Sequence, residues 1–294
     1  MKIVQLLFLG LSLGSIYALI ALGFVVIYKG TKVINLAHGS LMLLGAYVVA
    51  VVSEHSNFGL GVAAGLVTAG LGAIVAERVV SLARTHDHLV PTILTIGLDV
   101  LLAAELSRRI GTEVFSMGDP WGDARVTLLG TVLPQARIAA TIVGIAVIAA
   151  FFVVFRMTDF GTRMRASAED AETAALMGIS QRRVAMVSWA MGGAMACIAG
   201  IFLAAFPNAG LDHHSGIIAL NAIPAIIIGG LDSSEGAVLG GLIVGITQSL
   251  VQGYADALHF LGGNAAPVAP YVVMLAVLMV RPSGIFGSKE LARV

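Results

Sequence analysis

Long apolar runs separated by short polar turns dominate the chain. Crossing the hydrocarbon core of a bilayer takes about 20 mainly apolar residues in a helix. Nine runs approach or reach that length: Leu6–Tyr28, Val33–Val52, Phe58–Ala83, Thr92–Leu106, Ile138–Phe155, Val184–Phe206, Gly216–Gly230, Ala237–Tyr254 and Val268–Val280. The fourth, seventh and ninth are short, which predicts helices that are tilted, broken or re-entrant. The pattern therefore predicts an all-α integral membrane protein with about eight or nine transmembrane helices, in a single domain over residues 1–294.

The composition supports a bilayer as the solvent. Hydrophobic residues make up 58% of the chain and charged residues only 12%, whereas soluble domains carry about a quarter charged residues. The 35 glycines suit close helix packing in lipid, where small residues let backbones approach. The first run is longer than the core of a signal peptide and no small-x-small cleavage site follows it, so we expect a retained span. The formal net charge is zero and gives no indication of nucleic-acid binding.

The positions of Lys and Arg predict the orientation. With nine spans and an outer N-terminus, most of the 17 basic residues fall in cytoplasmic loops, as the positive-inside rule requires. We therefore expect a multi-pass protein of the bacterial inner membrane with a cytoplasmic C-terminus. The residues counted as cytoplasmic are Lys29, Lys32, Arg78, Arg84, Arg156, Arg163, Arg165, Arg182, Arg183, Arg281, Lys289 and Arg293.

Two polar loops stand out. The outer loop, about residues 111–137, contains Pro120, Trp121 and Pro134, and we expect it to form a short cap or hairpin. The inner loop covers about residues 156–183. Its middle part, Ala168–Met177, is rich in Ala and Glu and precedes Gly178, which predicts a short helix ended by a glycine cap. Such a helix is either a surface offered to a motor protein or an ordinary charged connection.

Polar residues at membrane depth are the first candidates for function, because each is costly in hydrocarbon without a partner. Asn35 and His38 open the second run and share a face if that segment is helical. They either line a polar path, or Asn35 caps the helix while His38 packs against a neighbour. Asp99 lies in the middle of the fourth run. It either faces the path or a neighbouring subunit, or is protonated or bonded to an adjacent helix.

The stretch Gly216–Gly241 contains the features of a broken helix. Asn221, Pro224, Gly229 and Gly230 interrupt its apolar sequence, and proline and paired glycines weaken helices. Broken helices at membrane depth often mark binding sites, although tight packing of small residues explains the pattern equally well. In the next run, Gln248 and Ser249 are expected to form hydrogen bonds across helices.

Sequence signatures of enzymes and resident cofactors were not found. The chain has no Gly-x-x-x-x-Gly-Lys-Ser/Thr motif for ATP, no His-Glu-x-x-His motif for zinc, and a single cysteine, Cys197. We therefore expect no enzymatic activity, no bound metal and no cofactor in this chain.

Short motifs recur in order along nearly the whole chain. They are 14–19, Gly23, 27–28, 35–39, 45–47, 95–97, 161–166, Asp170, Ala174, 178–179, 229–231, 236–237, 240–241 and 281–287. As an ordered set they resemble the LivH-type permeases of branched-chain amino acid ABC importers.

The resemblance implies partners that the residues alone do not reveal. These permeases pair with a second, LivM-type permease, two ATPase subunits that bind ATP and magnesium, and an extracytoplasmic substrate-binding protein. The coupling loop of ABC permeases has a Glu-Ala-Ala-x-x-x-Gly pattern. Glu172-Thr173-Ala174 followed by Gly178 is similar, so the resemblance assigns ATPase coupling to Glu169, Glu172, Ala174 and Gly178. The translocation path is assigned to Asn35, His38, Asp99, Asn221, Pro224, Gly229 and Gly230 because they are polar residues or helix breaks at membrane depth.

Two departures from the family pattern leave the substrate open. Many relatives have a small or hydroxyl residue at the position of Asp99 and an acidic residue at that of Ser40. The wider family is associated with amino acids, urea, short amides and aromatic acids. A stand-alone secondary transporter or channel is the alternative function. It would need several deep ion-coupling carboxylates, and only Asp99 is clearly deep in a run.

Overall fold

The computed structural model describes residues 2–83, 89–122, 124–128, 131–206, 210–213, 215–256 and 265–287. Those residues form eleven α-helices, one 3₁₀ helix and one two-stranded hairpin. In chain order they are α1 (Lys2–Thr31), α2 (His38–His55), α3 (Phe58–Ser81), α4 (Leu89–Ile110), β1 (Arg125–Leu128), β2 (Thr131–Pro134), α5 (Gln135–Met157), α6 (Asp159–Glu169), α7 (Ala171–Leu176), α8 (Gln181–Leu203), the 3₁₀ helix (Ser215–Ala222), α9 (Ile223–Gly229), α10 (Ser234–Gly253) and α11 (Ala265–Val280).

The all-α membrane architecture is confirmed. Six described helices are long and apolar enough to cross a bilayer, namely α1, α3, α4, α5, α8 and α10. The expectation of a short fourth span is wrong, since α4 has 22 residues. The polar residues after Leu106 continue the helix because Glu105 bonds both Arg108 and Arg109, three and four positions further on. The seventh run is broken, as expected, into the 3₁₀ helix and α9.

Helix α1 lies at the centre of the bundle and packs most closely against α10. A Cβ atom added at Gly10 would come within 2.7 Å of the Ile246 Cα, and one at Gly14 within 2.9 Å of the Leu242 Cα. One added at Gly245 would collide with the Gly14 backbone. The glycines on both helices therefore let the two backbones touch, which is how transmembrane helices gain packing energy in lipid.

The two ends of the bundle differ in charge. At one end lie the C-terminal ends of α1, α5, α9 and α11 and the N-terminal ends of α8 and α10; we call this end the basic face. Lys29 there contacts Ser234, and Arg156 pairs with Glu235. The opposite end, the hairpin face, carries β1 and β2 and the bridge between Phe115 and Leu211. Arg84, Lys289 and Arg293, which the orientation prediction also counted, lie outside the described residues.

The outer loop contains the expected hairpin, although α5 already begins at Gln135. β1 and β2 pair antiparallel, with Val126 opposite Leu133. Trp121 inserts between the helix ends, stacked on Phe202 and edge-on to Phe58, with ring centroids 5.4 Å apart in both cases. Aromatic pairs of this geometry add to area burial, so the loop is anchored to the bundle rather than free.

The short helix expected over Ala168–Met177 is present as α7, but it begins only at Ala171. A second helix, α6, precedes it and ends at Glu169, because the extended backbone of Asp170 separates the two. The Asp170 carboxylate then caps α7 by accepting from the backbone N–H groups of Glu172 and Thr173, both at 3.0 Å. The glycine cap is confirmed: Gly178 has φ +83° and its N–H donates to the Ala175 carbonyl at 2.9 Å.

Candidate translocation and coupling sites

The connection between α1 and α2 is an irregular, buried segment rather than a helix. Asn35 lies in it and is fully buried, and its side-chain oxygen accepts from the Ala37 N–H at 3.1 Å. Because α2 begins only at His38, the helical face expected for Asn35 and His38 does not exist. Irregular backbone at membrane depth is tolerated where protein covers it or a cavity adjoins it, and in this conformation protein covers it.

His38 packs inside the bundle between α1 and α8. Its ring lies 4.3 Å from the Phe24 ring, centroid to centroid, and a Cβ atom added at Gly23 would be 2.8 Å from its Cε1. The residue is fully buried. Neither ring nitrogen has a hydrogen-bond partner among the described residues, and the same is true of the Asn35 side-chain nitrogen. The location of His38 thus agrees with the alternative that it packs against a neighbouring helix, although its two ring nitrogens form no hydrogen bond with the described residues.

The Asp99 side chain lies on the side of α4 that contacts α2, not on the side that faces away from the bundle. Ser40 donates a hydrogen bond to its carboxylate at 2.6 Å. Ser40 is buried, and Asp99 is partly exposed. One turn earlier, the Thr95 hydroxyl accepts from the Leu36 N–H at 3.0 Å. These two polar contacts tie α4 to the start of α2, in the region where the irregular segment lies.

The broken segment between α8 and α10 makes different contacts at its start and at its end. At its start, the Asn221 side chain lies near the Tyr17 hydroxyl, which donates a hydrogen bond to Gln248 at 2.9 Å. Pro224 lies in the first turn of α9, where its missing N–H costs nothing. The cross-helix bonds expected of Gln248 and Ser249 are confirmed, since Ser249 donates to the Leu6 carbonyl at 2.8 Å.

The glycine pair at the end of α9 is packed against backbone on both sides. A Cβ atom at Gly229 would collide with the Gly236 carbonyl, and one at Gly230 would lie 2.6 Å from the Gly287 nitrogen. Gly230 also has φ +104°, which disfavours any residue with a side chain. These glycines let α9, α10 and the segment after α11 meet at the basic face.

Three of the four coupling candidates, Glu172, Ala174 and Gly178, lie in or just after α7, which forms a small knob on the basic face. Within α7, Ala174 is buried against the bundle, whereas Glu172 is exposed. Leu176 and Met177 at its end are 87% and 79% exposed. Glu169 is not part of this knob, because it ends α6 and lines a cavity beside it. An exposed apolar tip on a short capped helix is a surface suited to a protein partner.

Comparison with known proteins identifies the family. The model for "Branched-chain amino acid transport system / permease component" matches residues 6–281. The chain belongs to this permease family. The permease is 31% identical to the high-affinity branched-chain amino acid transport permease LivH of Escherichia coli, over 99% of this chain and 97% of that protein. It is 27% identical to BraD of Pseudomonas aeruginosa, over 97% and 96%. The resemblance to LivH-type permeases is thus confirmed.

A solved structure supports the fold. The permease superposes on a chain of "PsaBC from Streptococcus pneumoniae in complex with Fab" with a TM-score of 0.51, covering 94% of this chain and 91% of that one. The sequence identity is only 14%. The similarity therefore concerns the arrangement of helices, which is kept although few residues are shared.

Sequence reasoning missed the polar partners that hold the candidate residues. Ser40 and Thr95 were not singled out as contacts, and neither was Tyr17, although all three are polar residues inside apolar runs. That pattern is a usable signal, because a hydroxyl in hydrocarbon needs an acceptor. It does not reveal which acceptor, since the partners lie 59 and 231 positions away.

Proposed function

We propose that this permease forms one half of the translocation path of an ABC importer for a small polar metabolite, with branched-chain amino acids as the first candidates. The observation that carries the proposal is the family match over residues 6–281. Several curated relatives are named as branched-chain amino acid permeases. Urea, short amides, aromatic acids and other amino acids are the remaining candidates, and substrate choice is assigned mainly to a binding protein.

The proposed assembly contains partners that supply energy and substrate. A second, LivM-type permease completes the path, two ATPases bind magnesium and ATP, and an extracytoplasmic binding protein delivers the cargo. Coupling to an ATPase is assigned to α7 through Glu172, Leu176 and Met177, whose exposure supports it. Asp99, His38, Asn35 and Asn221 are proposed to adjoin the path when the helices rearrange, since each is a polar group at membrane depth.

The proposed orientation places the basic face in the cytoplasm of a bacterial inner membrane and the N-terminus outside. Described lysines and arginines are concentrated at that face, as the positive-inside rule requires. Because the single cysteine of the chain, Cys197, is buried, a cysteine introduced at the surface can be labelled selectively. Leu176→Cys should be protected from a membrane-impermeant maleimide in intact spheroplasts, while Glu113→Cys should be labelled. The opposite result would reverse the orientation.

The first experiment is purification of the tagged chain in mild detergent, followed by mass spectrometry of the proteins that accompany it. Recovery of a second permease and an ATPase supports the importer, and the binding protein can then be screened against the candidate substrates. Recovery of a homogeneous chain alone that transports solute in proteoliposomes would contradict the importer and favour a stand-alone transporter.

The coupling assignment has its own test. Glu172→Lys should abolish ATP-driven uptake, because the charge at the exposed knob is reversed where the ATPase is proposed to bind. The amount of protein in the membrane should stay unchanged. Glu113→Lys is the matched control, since it makes the same change at an exposed residue of the hairpin face. Normal uptake by Glu172→Lys, or equal loss in both variants, would remove the assignment.

A further inference from the structure

A large cavity opens at the basic face, between the C-terminal ends of α1, α9 and α11 and the side of α6. Its volume is about 1510 Å³, larger than the roughly 300–1,000 Å³ of typical small-ligand pockets. No residue of α7, the helix proposed to contact the ATPase, lines this cavity. Of the candidate path residues, only Gly230 contributes to its wall. Of the coupling candidates, only Glu169 lines it, so the cavity borders both proposed sites but contains none of their other residues.

Positive charge predominates in the cavity. Among the described residues, Lys29, Lys32, Arg165 and Arg281 line it, against two acidic residues, Glu169 and Asp232. The salt bridges between described residues include none of these four cations. The part of the cavity that these four basic residues line therefore favours binding of an anion.

The cations use neutral partners that leave donors available. The Lys29 ammonium lies 3.2 Å from the Ser234 hydroxyl and 5.1 Å from the centre of the Phe155 ring. Arg281 donates from one terminal nitrogen to the Ile285 carbonyl at 3.2 Å. A guanidinium has five N–H donors and an ammonium three, so both groups can still bind phosphate oxygens.

Part of the remaining wall is apolar and adjoins the outer surface of α11. Ile227, Leu278 and Val280 line the cavity. Val280, which is 82% exposed, is followed along the outside of α11 by the exposed Met279, Leu275 and Val272. A helix face of this kind is expected to contact lipid. The basic wall of the cavity is thus continuous with the exposed apolar face of α11.

We infer that this cavity binds the phosphate headgroup of an anionic phospholipid, with the acyl chains lying along α11. Basic pockets between transmembrane helices at the end of the span match such headgroups in charge and in depth. A free phosphate ion would use the cations but gain nothing from Ile227, Leu278 and Val280. A protein partner would be expected to use the exposed tip of α7 instead, which lies outside the cavity.

The experiment measures lipid retention by the purified permease, together with any subunits that accompany it. The protein is delipidated in detergent, mixed with phosphatidylglycerol or phosphatidylcholine, and examined by native mass spectrometry. We expect selective retention of phosphatidylglycerol. In Lys32→Gln/Arg281→Gln the affinity should fall about 30-fold, since each basic residue near the surface contributes roughly 1 kcal/mol and 1.4 kcal/mol corresponds to a factor of ten.

The matched control is Arg163→Gln/Arg183→Gln. It removes the same charge from exposed residues that do not line the cavity, so retention should stay within about twofold of wild type. Equal losses in both double variants would overturn the proposal, because binding would then follow only net charge. The single variant Lys32→Gln, at an exposed side chain, keeps the test valid if the double variant does not fold.

Two further arms distinguish other occupants. Millimolar inorganic phosphate should not displace phosphatidylglycerol; complete displacement would make the cavity a site for a free anion. Lipid retention should also be equal in the isolated chain and in the assembly with its ATPases. Loss of retention on assembly would show that a protein subunit fills the cavity, and would overturn the lipid assignment.

Discussion

Helices α1 and α4 are similarly apolar and of spanning length, yet they occupy opposite environments. In the most apolar 18-residue window, 94% of the residues of α1 are buried, against 11% for α4. The difference follows from the size of the residues on their contact faces. Gly10 and Gly14 let α1 reach the backbone of α10, whereas nothing lies within 4 Å of a Cβ atom added at Gly97 of α4.

The two helices are also held by different forces. α1 is held by close backbone packing over much of its length, while α4 contacts α2 through a few apolar residues and two polar links. One link joins Ser40 to Asp99, and the other joins the Thr95 hydroxyl to the backbone of Ile34 and Leu36. Packing over a whole face is hard to rearrange, whereas a few hydrogen bonds can exchange partners. We therefore expect α1 to determine stability and α4 to respond to changes of state.

The largest expected effect is at the α1–α10 contact. Gly245→Val should destabilise the protein by about 3 kcal/mol, because its side chain collides with the Gly14 backbone. The measurement is thermal unfolding in detergent by fluorescence-detected size exclusion. Gly97→Val is the control and should leave the midpoint unchanged, as open space surrounds that position. Equal shifts in both variants would contradict the packing difference between the helices.

The next effect concerns the carboxylate of α4. Asp99→Ala should cost about 1 kcal/mol, because it removes the carboxylate that accepts from the buried Ser40 hydroxyl at 2.6 Å and leaves only the backbone carbonyl of residue 99, at 3.3 Å. A double-mutant cycle with Ser40→Ala, followed by SDS unfolding, should give a coupling energy of about 1 kcal/mol. Additive effects of the two substitutions would show that the bond contributes nothing to the folded state.

The role of Asp99 in transport is tested with the same variants. If Asp99 adjoins the path, Asp99→Asn should reduce uptake although it retains a hydrogen-bond acceptor for Ser40. Ser40→Ala separates the two roles, since it removes the bond but keeps the carboxylate. Wild-type uptake in both Asp99→Asn and Asp99→Ala would remove Asp99 from the path.

A similar effect is expected at the second link. Thr95→Val keeps the shape of the side chain but removes the acceptor of the Leu36 N–H, at a cost of about 1 kcal/mol. Faster hydrogen exchange at Leu36, measured by mass spectrometry, should accompany the loss. Thr92→Val on the same helix is the comparison variant and should leave exchange at Leu36 unchanged.

The smallest effect is expected inside the bundle. Tyr17→Phe removes the bond to Gln248 but none of the ring packing, so the cost should be about 0.6 kcal/mol, typical of hydrogen bonds between transmembrane helices. SDS unfolding measures it. A loss of 2 kcal/mol or more would show that polar links, and not glycine packing, hold α1 in place.

Much of the local structure could be predicted from the sequence. The apolar runs predicted the helices, the isolated Gly178 predicted the cap after α7, and the prolines and Trp121 of the outer loop accompanied a hairpin. These features depend on neighbours along the chain. The predicted start of the short helix was wrong because a single residue decided it locally: Asp170 caps α7 with its side chain, and α6, which was not predicted, ends just before it.

The sequence by itself determined that the chain lies in a membrane, where its helices run, and that basic residues collect at one end. Only the tertiary structure decided which equally apolar helix became the core, that Ser40 meets Asp99, and that Lys29 and Arg281 line one cavity. Hydropathy depends on residue type alone. A contact between helices depends on their rotation and axial offset, which are fixed when all faces pack together.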